Sequence, residues 1–186
     1  MRVARMIAAA TLLTIAAPAF AHPGHDGAGL AGGLMHPLTG MDHLLAMVAI
    51  GLFAAMRGGR ALWAWPLGFV AAAALGFVAG RYGLVFPLAE PLVLASVLAL
   101  GLLVAAAVPV NLGVGLALVA LFGAAHGQAH AGEAGAQAIT GFAAGFLITS
   151  AALHVAGLGL YRVTGKAWGR LAGAATVAGG VALAFA

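Results

Sequence analysis

The chain has 186 residues, of which 64% are hydrophobic and only 6% are charged; soluble domains carry about 45–50% apolar and about 25% charged residues, so a soluble fold is excluded. Eight Lys/Arg against four Asp/Glu give a formal charge of +4, but the bases are scattered and form no patch that could follow a phosphate backbone, which excludes nucleic acid as a partner. With no cysteine, disulfides and thiolate metal sites are excluded too, and metal chemistry is left to His, Asp, Glu, Met and backbone oxygen.

Residues Met1–Ala21 read as a cleaved secretory signal. Arg2 and Arg5 form its basic start, Met6 to Ala17 its apolar core, and Ala19-Phe20-Ala21 its cleavage site. The mature chain, 22–186, reads as a single all-α domain, a polytopic membrane helix bundle, with 22–35 as an exported N-terminal segment. Six apolar segments follow a Gly-rich approach: Pro37 to Met56, Ala61 to Gly80, Pro87 to Ala107, Asn111 to His130, Gln137 to Tyr161, and Leu171 to Ala186. Each is near the length that spans a bilayer, and helices are the form in which single segments satisfy their own backbone in lipid. Pro37 suits the first turn of the first helix. The 29 glycines suit close helix–helix contact in lipid and are compatible with a homo-oligomer.

The first and fifth connections hold Arg57, Arg60, Arg162, Lys166 and Arg170, whereas the even-numbered ones hold only Arg81. The positive-inside rule then puts odd connections in the cytoplasm. Both the mature N-terminus and the C-terminus come out on the periplasmic side of a bacterial inner membrane.

Rare polar residues concentrate on the outward side of this topology. His22, His25 and Asp26 precede the bundle. His36, Asp42 and His43 fall in the outer half of the first helix, and His126, His130 and Glu133 at the outer end of the fourth. His126 and His130 share one helical face, and Glu133 continues that stripe if the helix persists past Gly132. An i, i+4 histidine pair binds a divalent ion from one side and leaves other positions to a second helix. Asp42 and His43 point about 100° apart on an ideal helix, and His36 stands about 10 Å above His43 along a straight axis. That spacing splits the first-helix group: Asp42 and His43 are expected in a central site with His126, His130 and Glu133, and His36 at its mouth. Met47 reads as packing, Glu90 as solvated, and His154 as either an inward relay or a histidine bonded to a neighbouring helix. His22 and His25 read as either a tail or a capture site. Six ionisable groups in two membrane segments are costly without a shared purpose.

His36-Pro37-Leu38-Thr39-Gly40-Met41-Asp42-His43-Leu44-Leu45-Ala46-Met47 resembles the first-helix motif of the HupE/UreJ family, small membrane proteins associated with nickel hydrogenases and ureases. His126-Gly127-Gln128-Ala129-His130-Ala131-Gly132-Glu133 resembles the family's later His-Gly…His…Glu motif. Ala125 stands where many relatives have phenylalanine. The His-x5-Asp-His spacing is also similar to that of the larger nickel/cobalt permeases. The resemblance implies a secondary transporter, not an enzyme. It would carry Ni²⁺ or Co²⁺ inward as substrate, with no permanently bound cofactor, and hydrogenase or urease maturation proteins would be its partners. An intramembrane metal-dependent hydrolase using the same His/Asp/Glu cluster is the alternative, and haem ligation by paired helix histidines a more distant one. Affinity order alone does not select nickel among imidazole-binding metals.

Overall fold

A computed structural model describes residues 29–84, 86–131 and 139–186. The signal segment, His22, His25, Asp26 and Glu133 lie outside them. Among the described residues the chain is all-helical, in the order α1 (Gly29–Thr39), α2 (Met41–Arg57), α3 (Ala61–Arg81), α4 (Ala89–Ala106), α5 (Leu112–Ala129) and α6 (Ile139–Ala184). Four of these, α3 to α6, are long and apolar enough to cross a membrane, and α1 with α2 makes a fifth candidate bent by 77°. The chain is a helical membrane protein.

The first expected span differs most from expectation. Helix begins at Gly29 rather than Pro37, and Pro37 sits in the last turn of α1. The Gly-rich approach is therefore part of the bundle. Its small residues let α1 lie directly on α6: a methyl added to Gly33 would run into the Phe142 backbone, and one on Gly145 into the backbone of Leu34. Pro37 cannot supply the N–H that would continue the helical ladder. Gly40 then takes an extended conformation (φ −77°, ψ 109°) and starts α2. Thr39 turns its hydroxyl back onto the carbonyls of Met35 and His36, at 3.2 Å each, and closes α1.

Contacts along α6 order the two short helices. Gly141 and Gly145 meet Gly29 to Leu34 of α1, whereas Gly157 meets Val48, Gly51 and Leu52 of α2. The Thr149 hydroxyl donates to the Leu34 carbonyl at 2.8 Å between these two zones. Helix α1 covers the first part of α6, α2 covers the next, and both run in the direction of α6.

Helix α6 is itself broken. Gly165 is non-helical, at φ 81° and ψ −175°, in the left-handed region that glycine tolerates and other residues resist. Beyond it the partners appear in reverse: Gly173 meets Ala105 and Val104, and Gly180 meets Val97 and Leu98. Residues 166–184 thus run back along α4, antiparallel to it. Helices α3 and α5 pack side by side in parallel register, Gly115 against Trp65, Gly123 against Phe69 and Gly127 against Ala73. The core between the helices holds Met47, Ile50, Phe53, Trp65, Phe69 and Phe146, all essentially inaccessible.

One end of the bundle collects basic residues. Arg57 donates from Nε to the Val110 carbonyl at 3.1 Å, and Arg170 to the Ala105 carbonyl at 2.7 Å. The α2–α3 turn, the α4–α5 connection and the start of the last helical run therefore share that end. At the opposite end of α5 lies His130.

Candidate metal centre

The break at Gly40 builds the site. On a straight helix His36 and His43 would be separated by about two turns. The bend folds one ring onto the other, with centroids 5.3 Å apart. His130, the C-cap of α5, completes the group: its ring lies 4.3 Å from that of His36 and 4.4 Å from that of His43. One ligating atom from each of His36, His43 and His130 falls within 4.8 Å of the others. The expectation that His36 stands apart, above a central site, is thus corrected in its geometry, because the straight-axis spacing does not apply across Gly40.

Asp42 has a different position from the histidines. Its Oδ1 accepts the His43 backbone N–H at 2.8 Å and lies 2.6 Å from His43 Nδ1. Neighbours on an ideal helix point about 100° apart, and here the carboxylate reaches the adjacent ring. With Nδ1–H donated to Asp42, His43 turns its Nε2 lone pair toward Nε2 of His130, and these two nitrogens meet directly. A carboxylate behind a ligating histidine fixes its tautomer and raises its basicity. Gly40 packs on this pair: a methyl there would come within 3.1 Å of both Asp42 Oδ1 and His43 Nδ1.

His126 lies one turn inward of His130, fully buried. Its Nδ1 donates to the Phe122 carbonyl at 2.8 Å, and its ring centre is 5.0 Å from that of His43. The expected shared face of His126 and His130 is present, and both rings contact His43. His154 is fully buried on α6 and is not part of the three-histidine group. Met47 is fully buried among core residues, and Glu90 is exposed.

Aromatic walls around the group were not read from the sequence. Phe146 lies 5.2 Å from the His130 ring and 6.2 Å from that of His43, and Phe142 lies 5.5 Å from that of His36. A phenylalanine in an apolar segment looks like any core residue, so pattern carried no signal for them. Their effect is to enclose three imidazoles in an apolar surround, where a cation's interactions are strengthened.

A sequence profile described as HupE / UreJ protein matches residues 10–183. The chain belongs to the HupE/UreJ family. Protein HupE of Rhizobium leguminosarum bv. viciae is 39% identical to it, over 93% of this chain and 94% of the relative. No solved structure matches the chain. HupE/UreJ proteins are a hydrogenase- and urease-accessory family of nickel/cobalt permeases, and membership gives this chain a metal-transport role. The donor set fits such a substrate. Three imidazole nitrogens suit Ni²⁺, Co²⁺, Zn²⁺ or Cu²⁺ and are poor ligands for Mg²⁺ or Ca²⁺.

Proposed function

We propose that the chain is a secondary transporter that moves Ni²⁺, or Co²⁺, across the bacterial inner membrane into the cytoplasm for metalloenzyme maturation. The observation that carries this reading is the convergence of His36, His43 and His130 at a helix break inside an apolar bundle. Broken helices at membrane depth are where transporters place ion sites, because the interruption frees polar groups to face a substrate.

In this reading the bent pair α1–α2 is one span, α3, α4 and α5 are three more, and the two runs of α6 on either side of Gly165 are the fifth and sixth. The end that collects Arg57 and Arg170 faces the cytoplasm, as the positive-inside rule requires. The mature N-terminus, following cleavage after Ala21, and the C-terminus are then periplasmic. His36, His43 and His130 supply the ligand nitrogens and Asp42 holds His43 in its ligating tautomer. His126 stands one turn further in. Glu133, close in sequence to His130, adds a carboxylate ligand for the ion, and His22 and His25 capture the ion from the periplasm.

The substrate must exchange its water for these donors and then leave. Several mixed stations in series achieve both. No nucleotide-binding Gly-x4-Gly-Lys-Ser/Thr stretch occurs in the sequence, which fits secondary transport. In vesicles containing the purified chain, radioactive nickel uptake is expected to be suppressed by excess Co²⁺ and unaffected by excess Mg²⁺. Equal suppression by Mg²⁺ would contradict a site built from imidazoles.

A further inference from the structure

Below the three-histidine group the bundle buries two more imidazoles with unused ring nitrogens. His154 is fully buried, and neither Nδ1 nor Nε2 has a hydrogen-bond partner among the described residues. His126 is equally buried. Since its Nδ1 donates to Phe122, its Nε2 carries the lone pair, and that atom is unpartnered too. Both rings lie against one side chain: Phe69 meets each in an edge-on arrangement with centroids 5.2 Å apart.

Buried polar atoms in native proteins nearly always have a partner, and leaving one without is costly. Apart from Gln128 Oε1 at the outer end of α5, the other buried polar side chains among the described residues obey that rule. Ser96, Ser150 and Thr176 each donate to a carbonyl of their own helix, and Thr149 reaches Leu34. The bare nitrogens of His154 are therefore not a general feature of polar residues at this depth.

Placement adds direction. The His154 carbonyl packs on Gly51, which is eight residues beyond His43 along α2, about 12 Å toward the arginine-bearing end. His126 is one turn, about 6 Å, inward of His130. The imidazoles therefore descend in steps from the three-histidine group, through His126, to His154.

We propose that His126 and His154 form a second, inner station for the divalent ion. The proposal rests on the transport reading above. Two neutral imidazoles hold the ion less tightly than three with a carboxylate behind one of them, so the inner station favours release toward the cytoplasm. Phe69, touching both rings, forms one wall of this station.

The test uses the full chain, with Co²⁺ as the binding probe and radioactive nickel for uptake into vesicles. His154→Phe fills the space without a nitrogen, and His154→Gln keeps a polar end that is a poor ligand. Both are expected to bind one Co²⁺ fewer per chain than the wild type at saturation. Both should lower the maximal uptake rate by about tenfold while changing the half-saturating concentration by less than about threefold, because capture at the outer histidines is intact. Wild-type ion counts and rates in either folded variant would overturn the inner station. So would a rise in half-saturating concentration as large as that of a His130 variant, because His154 would then act on the outer group. If neither variant folds, the wild-type count decides, and a single Co²⁺ per chain overturns the proposal. Failure of the transport reading itself looks different: the wild-type vesicles would then take up no nickel.

Discussion

Replacing His130 by alanine is expected to reduce nickel uptake to below about one-tenth of the wild-type rate, at equal protein in the membrane. In the proposed site His130 supplies one of three ligand nitrogens, and it meets His43 through Nε2. Loss of even an outer partner of a metal ligand typically costs ten- to a hundredfold in affinity, and loss of a ligand costs at least as much. His43→Ala should have the same effect for the same reason. The helix itself should tolerate both changes, because His130 caps the end of α5 and the side-chain hydrogen bonds of His43, to Asp42 and His130, lie within the site. Undiminished uptake in either variant would remove that histidine from the site.

Asp42→Asn is the second large effect. The carboxylate has no place among the three converging nitrogens, yet it sets which nitrogen of His43 is bare. An amide has no charge to hold Nδ1–H, and it can instead offer its own N–H to Nδ1. That places the ring proton on Nε2, the nitrogen that must be unprotonated to bind metal. The half-saturating nickel concentration should rise by about ten- to a hundredfold, with the maximal rate affected less. If the carboxylate ligated the ion directly, its loss would instead lower the maximal rate as strongly as it raised the half-saturating concentration. Kinetics of uptake into vesicles over a range of nickel concentrations separate the two cases.

Much of this arrangement was legible in the sequence. Hydropathy located the helices from α3 to α5 to within a few residues, because long apolar runs bounded by polar turns have few alternatives in lipid. The four-residue spacing of His126 and His130 gave their shared face. Asn111, read as the first residue of the fourth apolar run, is in the structure the cap of α5 and accepts the Val114 N–H at 2.8 Å.

What was not legible follows from one residue. Gly40 is among 29 glycines, most of which serve packing, so nothing in its type singled it out as a break. Counting at 1.5 Å per residue assumes a straight axis, and on that axis His36 belongs to a different level from His43. The bend of 77° between α1 and α2 brings them together. The hydrogen bond of Asp42 to His43 Nδ1 was not read either, because spacing along a helix says nothing of how two adjacent side chains turn toward each other. The start of α1 was missed because Gly29 to Gly33 looks like a linker. It is helical because it packs on Gly141 and Gly145, a tertiary reason that no local pattern carries. The walls formed by Phe142 and Phe146, and the bare nitrogens of His154, likewise exist only once the helices are assembled.

The central claim is that His36, His43 and His130 hold one ion together. X-ray absorption at the nickel edge of the purified, nickel-loaded chain tests it most directly, since imidazole rings scatter recognisably. The account predicts that His36→Ala removes one imidazole from the nickel shell while His43 and His130 continue to ligate. An imidazole count unchanged by that substitution, or a shell of oxygen alone in the wild type, would contradict it.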